Sequence, residues 1–447
     1  MAKSTNLHKE LEEEIVKPEN RKIDRGALVQ SFLETRQSSL NLFSPLKPED
    51  FLIQTMADVS PPKWNAGHTT WFFEKNILEK FQPGFKPVNP DFYTVFNSYY
   101  LALGQPAPRQ MRGTQTKPTV PEVFDYRKTV DQKIVDLINT CDDSTLKKIY
   151  SLVILGINHE QQHQELFLSE IKHIYSNQII ETAYHRQQNI PNSKLPESDF
   201  VSFDGGIFIM GNQANGFCYD NELPARKVLL DRPFALQNRL VTNGDFFEFM
   251  RDGGYQKPLL WLRPGWDLSQ SQNWKAPLYW EESKNGWRIF TLSGWRDMNL
   301  TEPVSHVSFY EADAYARWAG ARLPTEEEWE LAVRYLQVDP QEGNQFDLQN
   351  PLEGHLHPVP AQSSAEKLLQ IFGDVWEWTL SANVLYPGYI PFSGEAGEYN
   401  YIWMDGQRIL RGSSCATPRG HSRISYRNFW GAGTRFQFTG IRLAKNP

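Results

Sequence analysis

The stretch LGINHEQQHQELFLS, Leu155 to Ser169, decides how the chain is read. No Gly or Pro interrupts the sequence between Gly156 and Pro191, and apolar residues recur at Leu152, Leu155, Leu166 and Phe167, a helical pattern. His159 and His163 stand four apart, so a helix projects both imidazoles from one face, about 5–6 Å apart at Cβ. That spacing suits two ligands of one metal ion, and the ion needs a third.

Read literally, His159-Glu160-Gln161-Gln162-His163 is the HExxH pattern of zinc peptidases, in which the glutamate is the general base. Glu181 is the one candidate third ligand at a suitable separation, and the Gly and His of the longer metzincin pattern do not follow His163. A solvated helix face carrying two histidines with no metal is the other reading open at this point.

The chain has 447 residues, which predicts two or three domains, and its 40% hydrophobic and 22% charged residues are those of a folded protein. A net charge of -7 and a pI near 5.9 argue against nucleic acid or an anionic membrane as partner and favour small ligands. Cys141, Cys218 and Cys415 are odd in number and far apart, which gives no disulfide framework and fits a reducing cytoplasm. The polar N-terminus lacks the apolar core of a signal peptide, and no apolar run reaches the ~20 residues of a spanning helix. The expectation is a soluble, cytoplasmic protein.

Residues 1–24 read as a flexible, charged N-terminus. Asp24 caps a first helix from Arg25 to about Asn41, with Leu28, Phe32 and Leu40 inward. Pro61 and Pro62 suit the first turn of a second, which contains His68 and ends near Phe81. After a long polar and aromatic connection, Pro121 opens a third to about Thr140, and Ser144 starts the fourth, which carries the histidine pair. Four helices with one extended crossover make a bundle over 25–184, and bundle cores are where facing helices assemble metal sites. Residues 185–199 read as a linker. Beyond it, over 200–447, lie 12 of the 14 tryptophans and frequent Gly and Pro, so a second domain of short strands and long loops follows and the whole chain is α+β. Two of its helices are marked by capping boxes, Ser308 with Glu311 and Thr325 with Glu328, the first closed by Gly320.

These residues resemble a family. MADVSPPKWNAGHTTWFFE (56–74) and HEQQHQEL (159–166) look like a DinB-type four-helix bundle with three histidine ligands. GGIFIMG (205–211), EPVSHVSFYEADAYARWAGARLPTEEEWE (302–330), GDVWEW (373–378), LRGSS (410–414) and TGIRLA (439–444) resemble the formylglycine-generating-enzyme-like domain, a variant of the C-type-lectin fold. In this order, over residues 25 to 445, they are similar to the sulfoxide synthases of ergothioneine biosynthesis.

The resemblance implies that His68, His159 and His163 bind a nonheme Fe(II), and that the enzyme uses O2 to join the sulfur of cysteine to the imidazole carbon of hercynine, giving a sulfoxide. Three neutral imidazoles on one face leave the ion three exchangeable positions. Tyr99 and Tyr100 match an active-site tyrosine doublet of one family branch; a phenol stays protonated at neutral pH and can supply a proton. Arg109, and less directly Arg112, offer a planar partner to a substrate carboxylate. Gln162 suits the hercynine imidazole or carboxylate. Asn428, Phe429 and Trp430 fall where the family places its betaine contacts, and aromatic faces suit a trimethylammonium. The mycobacterial-type branch has an Asn-Trp-Asp run there, whose aspartate helps to bind γ-glutamylcysteine; Trp430 lacks that carboxylate, which favours free cysteine. Cys415 stands without the paired cysteine of true formylglycine-generating enzymes, so sulfatase maturation is not expected, and the three cysteines are read as buried apolar groups. The competing readings are an ovothiol-type histidine variant or a selenium-donor variant, the zinc peptidase, and a non-catalytic binding module. The ligands come from both halves, so the site is expected between them; the oligomeric state is left open.

Overall fold

The computed structural model describes residues 23–98, 100, 105–186, 194–213, 216–284, 286–392 and 400–446. Most of the charged N-terminus and the middle of the 185–199 stretch therefore lie outside the described residues. Helix α1, Arg25–Phe43, starts where Asp24 accepts a hydrogen bond from the Ala27 amide. Leu28 and Phe32 are buried, whereas Leu40 is only half-buried. Helix α2 begins at Pro62, where a missing amide costs no helical bond, and runs to Phe73. It then widens into a π turn at Glu74–Leu78 before a last turn at Glu79–Phe81, so the expected helix to Phe81 is present but not uniform. All 12 residues of α2 are buried, which makes it the central rod of the bundle. Helix α3, Val120–Thr140, follows a reciprocal Thr119–Glu122 cap, and α4, Asp143–Ser176, follows Asp142.

Helix α4 uses three stripes. Glu160 and Gln164 face α1, the first through Arg36 and Ser39 and the second through Thr35 and Ser39. His159 and His163 face α2, as does Glu170, seven residues on from His163. Gln162, Glu165, Ser169 and Lys172, spaced by three or four, meet Tyr426, Trp376 with Ser414 and Thr417, Gln437, and His306 of the second half. The stripe that carries His159 and His163 is thus held between the other two.

In the second half, β1 (Phe200–Phe203), β2 (Phe234–Gln237) and β7 (Ala444–Lys445) form one sheet, which ties residues near 445 to the start of the domain. Strands β3 (Trp376–Ala382), β4 (Gln407–Gly412), β5 (Asn428–Gly431) and β6 (Thr439–Gly440) form another in the order β5-β4-β3-β6. Both expected capping boxes are present, before helices Phe309–Trp318 and Glu326–Leu336. Helices Asn243–Arg251 and Arg263–Ser271 were not expected; the first has a Thr242–Asp245 cap of the same kind, the second no side-chain cap. Gly373 leads into β3 at φ +78°, and a Cβ there would lie 2.4 Å from the Asn344 amide, so GDVWEW needs its glycine. Buried Arg411–Glu330, Arg427–Glu326 and Arg442–Glu377 pairs fix this irregular half. The described ends of the 185–199 stretch are tied to it too, through His185 to Leu292 and Asp199 to Asn238. All three cysteines are free; Cys218 and Cys415 are buried, but Cys141 is half-buried and lies 3.6 Å from an Arg25 nitrogen.

Lys172 carries a pH signature. Its Nζ lies 2.7 Å from His306 Nε2 and 4.9 and 4.8 Å from the ring centres of Tyr279 and Phe438. Burial pulls its ammonium down from 10.5 to about 7. Between those values the unfolded chain holds a proton that the folded one has released, so stability rises with pH through that window. Lys172→Met is expected to flatten the rise and to stabilise the protein at pH 7 by on the order of 2 kcal/mol. Parallel unfolding free energies for the two proteins from pH 7 to 10 would sink this assignment.

Candidate metal and substrate site

His68 on α2 and His159 and His163 on α4 bring their ligand atoms within 4.8 Å of one another. His68 Nε2 lies 3.2 Å from His159 Nε2. The other nitrogen of His68 is 2.7 Å from the Phe96 carbonyl, which only accepts, so Nδ1 donates and Nε2 keeps its lone pair. His163 Nδ1 is 3.0 Å from Asn65 Oδ1, and the Asn65 amide nitrogen is committed to Glu170 at 2.5 Å, so His163 also donates from Nδ1. Burial holds all three rings neutral: His159 falls to about 3, and His68 and His163 fall well below the usual range with His159 adding to the effect. With Nδ1 donating in His68 and His163, the lone pairs of these two rings are left at Nε2, and three imidazole nitrogens this close together suit a divalent transition metal.

Glu160 does not share this space. Burial opposes its ionisation, but Arg127 at 2.5 Å and Arg36 at 2.7 Å hold the carboxyl down to about 2, and Ser39 donates to it at 2.6 Å. One residue along a helix turns the side chain by about 100°, which points it at α1 instead of the metal face. Glu181 is exposed and pairs with Arg288 at 3.3 Å. The peptidase reading therefore loses both its base and its candidate third ligand, and the third side chain beside the histidine pair is His68.

His68 stacks on Trp64 at 4.6 Å and on Trp71 at 5.5 Å, and the Arg112 guanidinium lies 3.4 Å over Trp64. A cavity of about 450 Å³ extends from the histidines to the second half. The bundle contributes Asp58, Ser60, Trp64, Arg109, Arg112, Gln162, Glu165 and Glu170 to its lining, and the second half contributes Tyr219, Trp376, Trp403, Tyr426, Asn428, Phe429, Trp430 and Gln437. Cationic groups on the histidine side and aromatic faces opposite suit zwitterionic ligands.

The second half matches the Sulfatase-modifying factor enzyme 1-like domain over residues 186–447, and the bundle matches the DinB superfamily over residues 31–167. A hercynine oxygenase of Mycolicibacterium smegmatis is 34% identical over 346 residues, 71% of this chain and 76% of its own. The chain belongs to the hercynine oxygenase family, the sulfoxide synthases of ergothioneine biosynthesis. Hercynine oxygenases of Mycobacterium tuberculosis, 34% identical over 71% of this chain and 76% of theirs, and of Mycolicibacterium thermoresistibile, 31% identical over 94% and 95%, match as well. Membership places the chain among oxidoreductases, and no helix is long and apolar enough to cross a membrane among the described residues.

Seen as a member of the hercynine oxygenase family, the expected residues fall as follows. Arg109 and Arg112 both line the cavity: Arg109 is partly exposed and donates to the Asp58 carbonyl at 3.2 Å, while Arg112 is buried, donates to Ser60 at 3.0 Å and is lowered by that burial to about 9. Gln162 donates to the Tyr426 hydroxyl at 2.5 Å. Asn428, Phe429 and Trp430 lie in β5 on the opposite wall, with Trp430 edge-on to Phe436 at 5.4 Å. Tyr99 lies outside the described residues. Tyr100 is 2% exposed and packs on Trp71 at 5.7 Å, one ring removed from His68, and is not among the lining side chains.

Several site residues escaped sequence reading. Trp64 and Asn65 precede His68 by four and three, and Glu170 follows His163 by seven; helical phase alone puts them on the metal face. Tyr219 and Tyr426 reach the cavity only through the loops of the second half, a signal that spacing does not carry.

Proposed function

We propose that this protein is a nonheme iron(II), O2-dependent synthase that forms the C–S bond between cysteine and hercynine. The balance is hercynine plus cysteine plus O2 to the cysteine sulfoxide of hercynine plus water: a ring C–H and an S–H are lost, one oxygen goes to sulfur and the other to water. The observation that carries the reading is the joining of the three-histidine cluster to a cavity with two arginines on one wall and an aromatic strand on the other. Iron bound by His68, His159 and His163 would supply O2 activation and thiolate coordination.

The chain's own groups do the rest. Arg112, held flat by Trp64 and Ser60, presents its fork to a carboxylate, and Arg109 reaches the same cavity from its rim. Gln162, anchored on Tyr426, orients the hercynine ring, and Phe429 and Trp430 with Asn428 receive the betaine end. Holding sulfur and ring carbon within bonding reach is the main service of these contacts. The proton that accompanies oxygen reduction is assigned to the Tyr99–Tyr100 doublet.

Free cysteine is the proposed sulfur donor, because Trp430 puts an indole where the mycobacterial-type branch has a carboxylate. In competition assays, the wild type is expected to prefer cysteine to γ-glutamylcysteine, and Trp430→Asp to shift the ratio of kcat/KM toward γ-glutamylcysteine by about tenfold. A wild type that prefers γ-glutamylcysteine would overturn the donor assignment and leave the C–S reaction to be judged on its product.

A further inference from the structure

We propose that Glu170 and Asn65 are positioning residues that fix the tautomer of His163 and thereby set how tightly the site holds its metal. The inference rests on reading His68, His159 and His163 as ligands. Glu170 is 3% exposed and Asn65 2% exposed. The two Glu170 oxygens accept from different donors: Oε1 from the Ser60 amide at 2.8 Å, Oε2 from the Asn65 side-chain nitrogen at 2.5 Å. A carboxylate here can only accept, so it forces the Asn65 carboxamide to turn its nitrogen toward Glu170 and its oxygen toward His163 Nδ1, 3.0 Å away. With Nδ1 made a donor, the lone pair of His163 is left at Nε2, on the metal side. The arrangement is a carboxylate–amide–imidazole chain, in which the amide relays the carboxylate's orienting effect by one more step. His68 obtains the same orientation more directly from the Phe96 carbonyl.

The Glu170→Gln substitution tests this with almost no change of shape. The single carboxamide oxygen can stand at only one of the two acceptor positions, which the Ser60 amide and the Asn65 nitrogen approach separately. The Ser60 amide belongs to the backbone and cannot turn, so the new oxygen serves it and the new NH2 faces Asn65. Asn65 must then flip, presenting its own NH2 to His163 Nδ1, which becomes the acceptor; the ring proton moves to Nε2 and blocks the metal-side lone pair.

Two readouts follow. In metal-free, 15N-histidine-labelled full-length protein, NMR of the ring nitrogens is expected to show His163 as the Nδ1–H tautomer in the wild type and the Nε2–H tautomer in Glu170→Gln, with His68 unchanged. In anaerobic titration against a competing chelator, Fe(II) is expected to bind Glu170→Gln about 10- to 100-fold more weakly. Asn65→Leu, which removes the relay altogether, is expected to leave His163 in mixed tautomers with a similar loss, and keeps the test open should Glu170→Gln fold poorly. A His163 that keeps Nδ1–H in both variants, or Fe(II) affinity within threefold of wild type in both, overturns the proposal. A wild type that binds no Fe(II) overturns the ligand reading beneath it, and is told apart because the tautomer is read without metal.

Discussion

Replacing His159 by alanine is expected to empty the site of iron and to lower product formation by roughly three orders of magnitude or more. His159 Nε2 lies 3.2 Å from that of His68, and the residue shares a helix face with His163, so its loss leaves two imidazoles on separate helices with no third beside them in the cluster. The ring also packs on Phe72 at 4.5 Å, and its removal leaves a void in the bundle. Circular dichroism and metal analysis therefore belong beside the activity assay. A folded variant with neither iron nor turnover supports the assignment; one that keeps either at wild-type level sinks it.

Glu160→Gln separates the two readings of the HExxH pattern. In a peptidase this change removes the base and spares the fold. Here Glu160 is the shared acceptor of Arg36, Arg127 and Ser39, all buried, and neutralising it removes the counter-charge that the two guanidinium groups share. Asp131 still meets Arg36 at 2.6 Å, but Arg127 keeps only Thr69 at 3.3 Å and the Arg36 carbonyl at 2.8 Å. The expected loss is about 3–5 kcal/mol of stability, with iron and measurable turnover kept by the folded fraction. The acid limb follows from the same contacts. Glu160 is depressed from 4.5 to about 2 in the fold, so its contribution is complete above pH 4.5 and is lost as pH falls through 2. The wild type should lose stability over this window more steeply than the variant. An equally stable variant with a superimposable acid profile would refute this role.

The bundle was legible because its signals are local. Asp24 caps the first helix as read, the expected starts at Pro121 and Ser144 fall one residue after Val120 and Asp143, which Thr119 and Asp142 cap, and the i, i+4 spacing of His159 and His163 fixes their common face. Its misses are also local: the π turn after Phe73 leaves no mark in the periodicity, and Cys141, expected inside, is half-buried at a helix end where Arg25 reaches it. The second half was less legible. Its short strands owe their place to buried pairs such as Arg442–Glu377 and to turns such as Gly373–Asp374, which join residues far apart in sequence. The assignment of Glu160 shows the general difficulty. A motif names residue types, whereas the helical phase and the partners on α1 decided which of them could reach the metal.

The central claim, that iron on three histidines lets this chain join cysteine to hercynine, is tested most directly by mass spectrometry of the products formed from hercynine, cysteine and O2 by the Fe(II)-loaded protein, with the Zn(II)-loaded protein alongside. The account predicts the cysteine sulfoxide of hercynine, labelled at one oxygen by 18O2, from the iron form alone. Cysteine sulfinate as the sole product, or an equal yield from the zinc form, would contradict it.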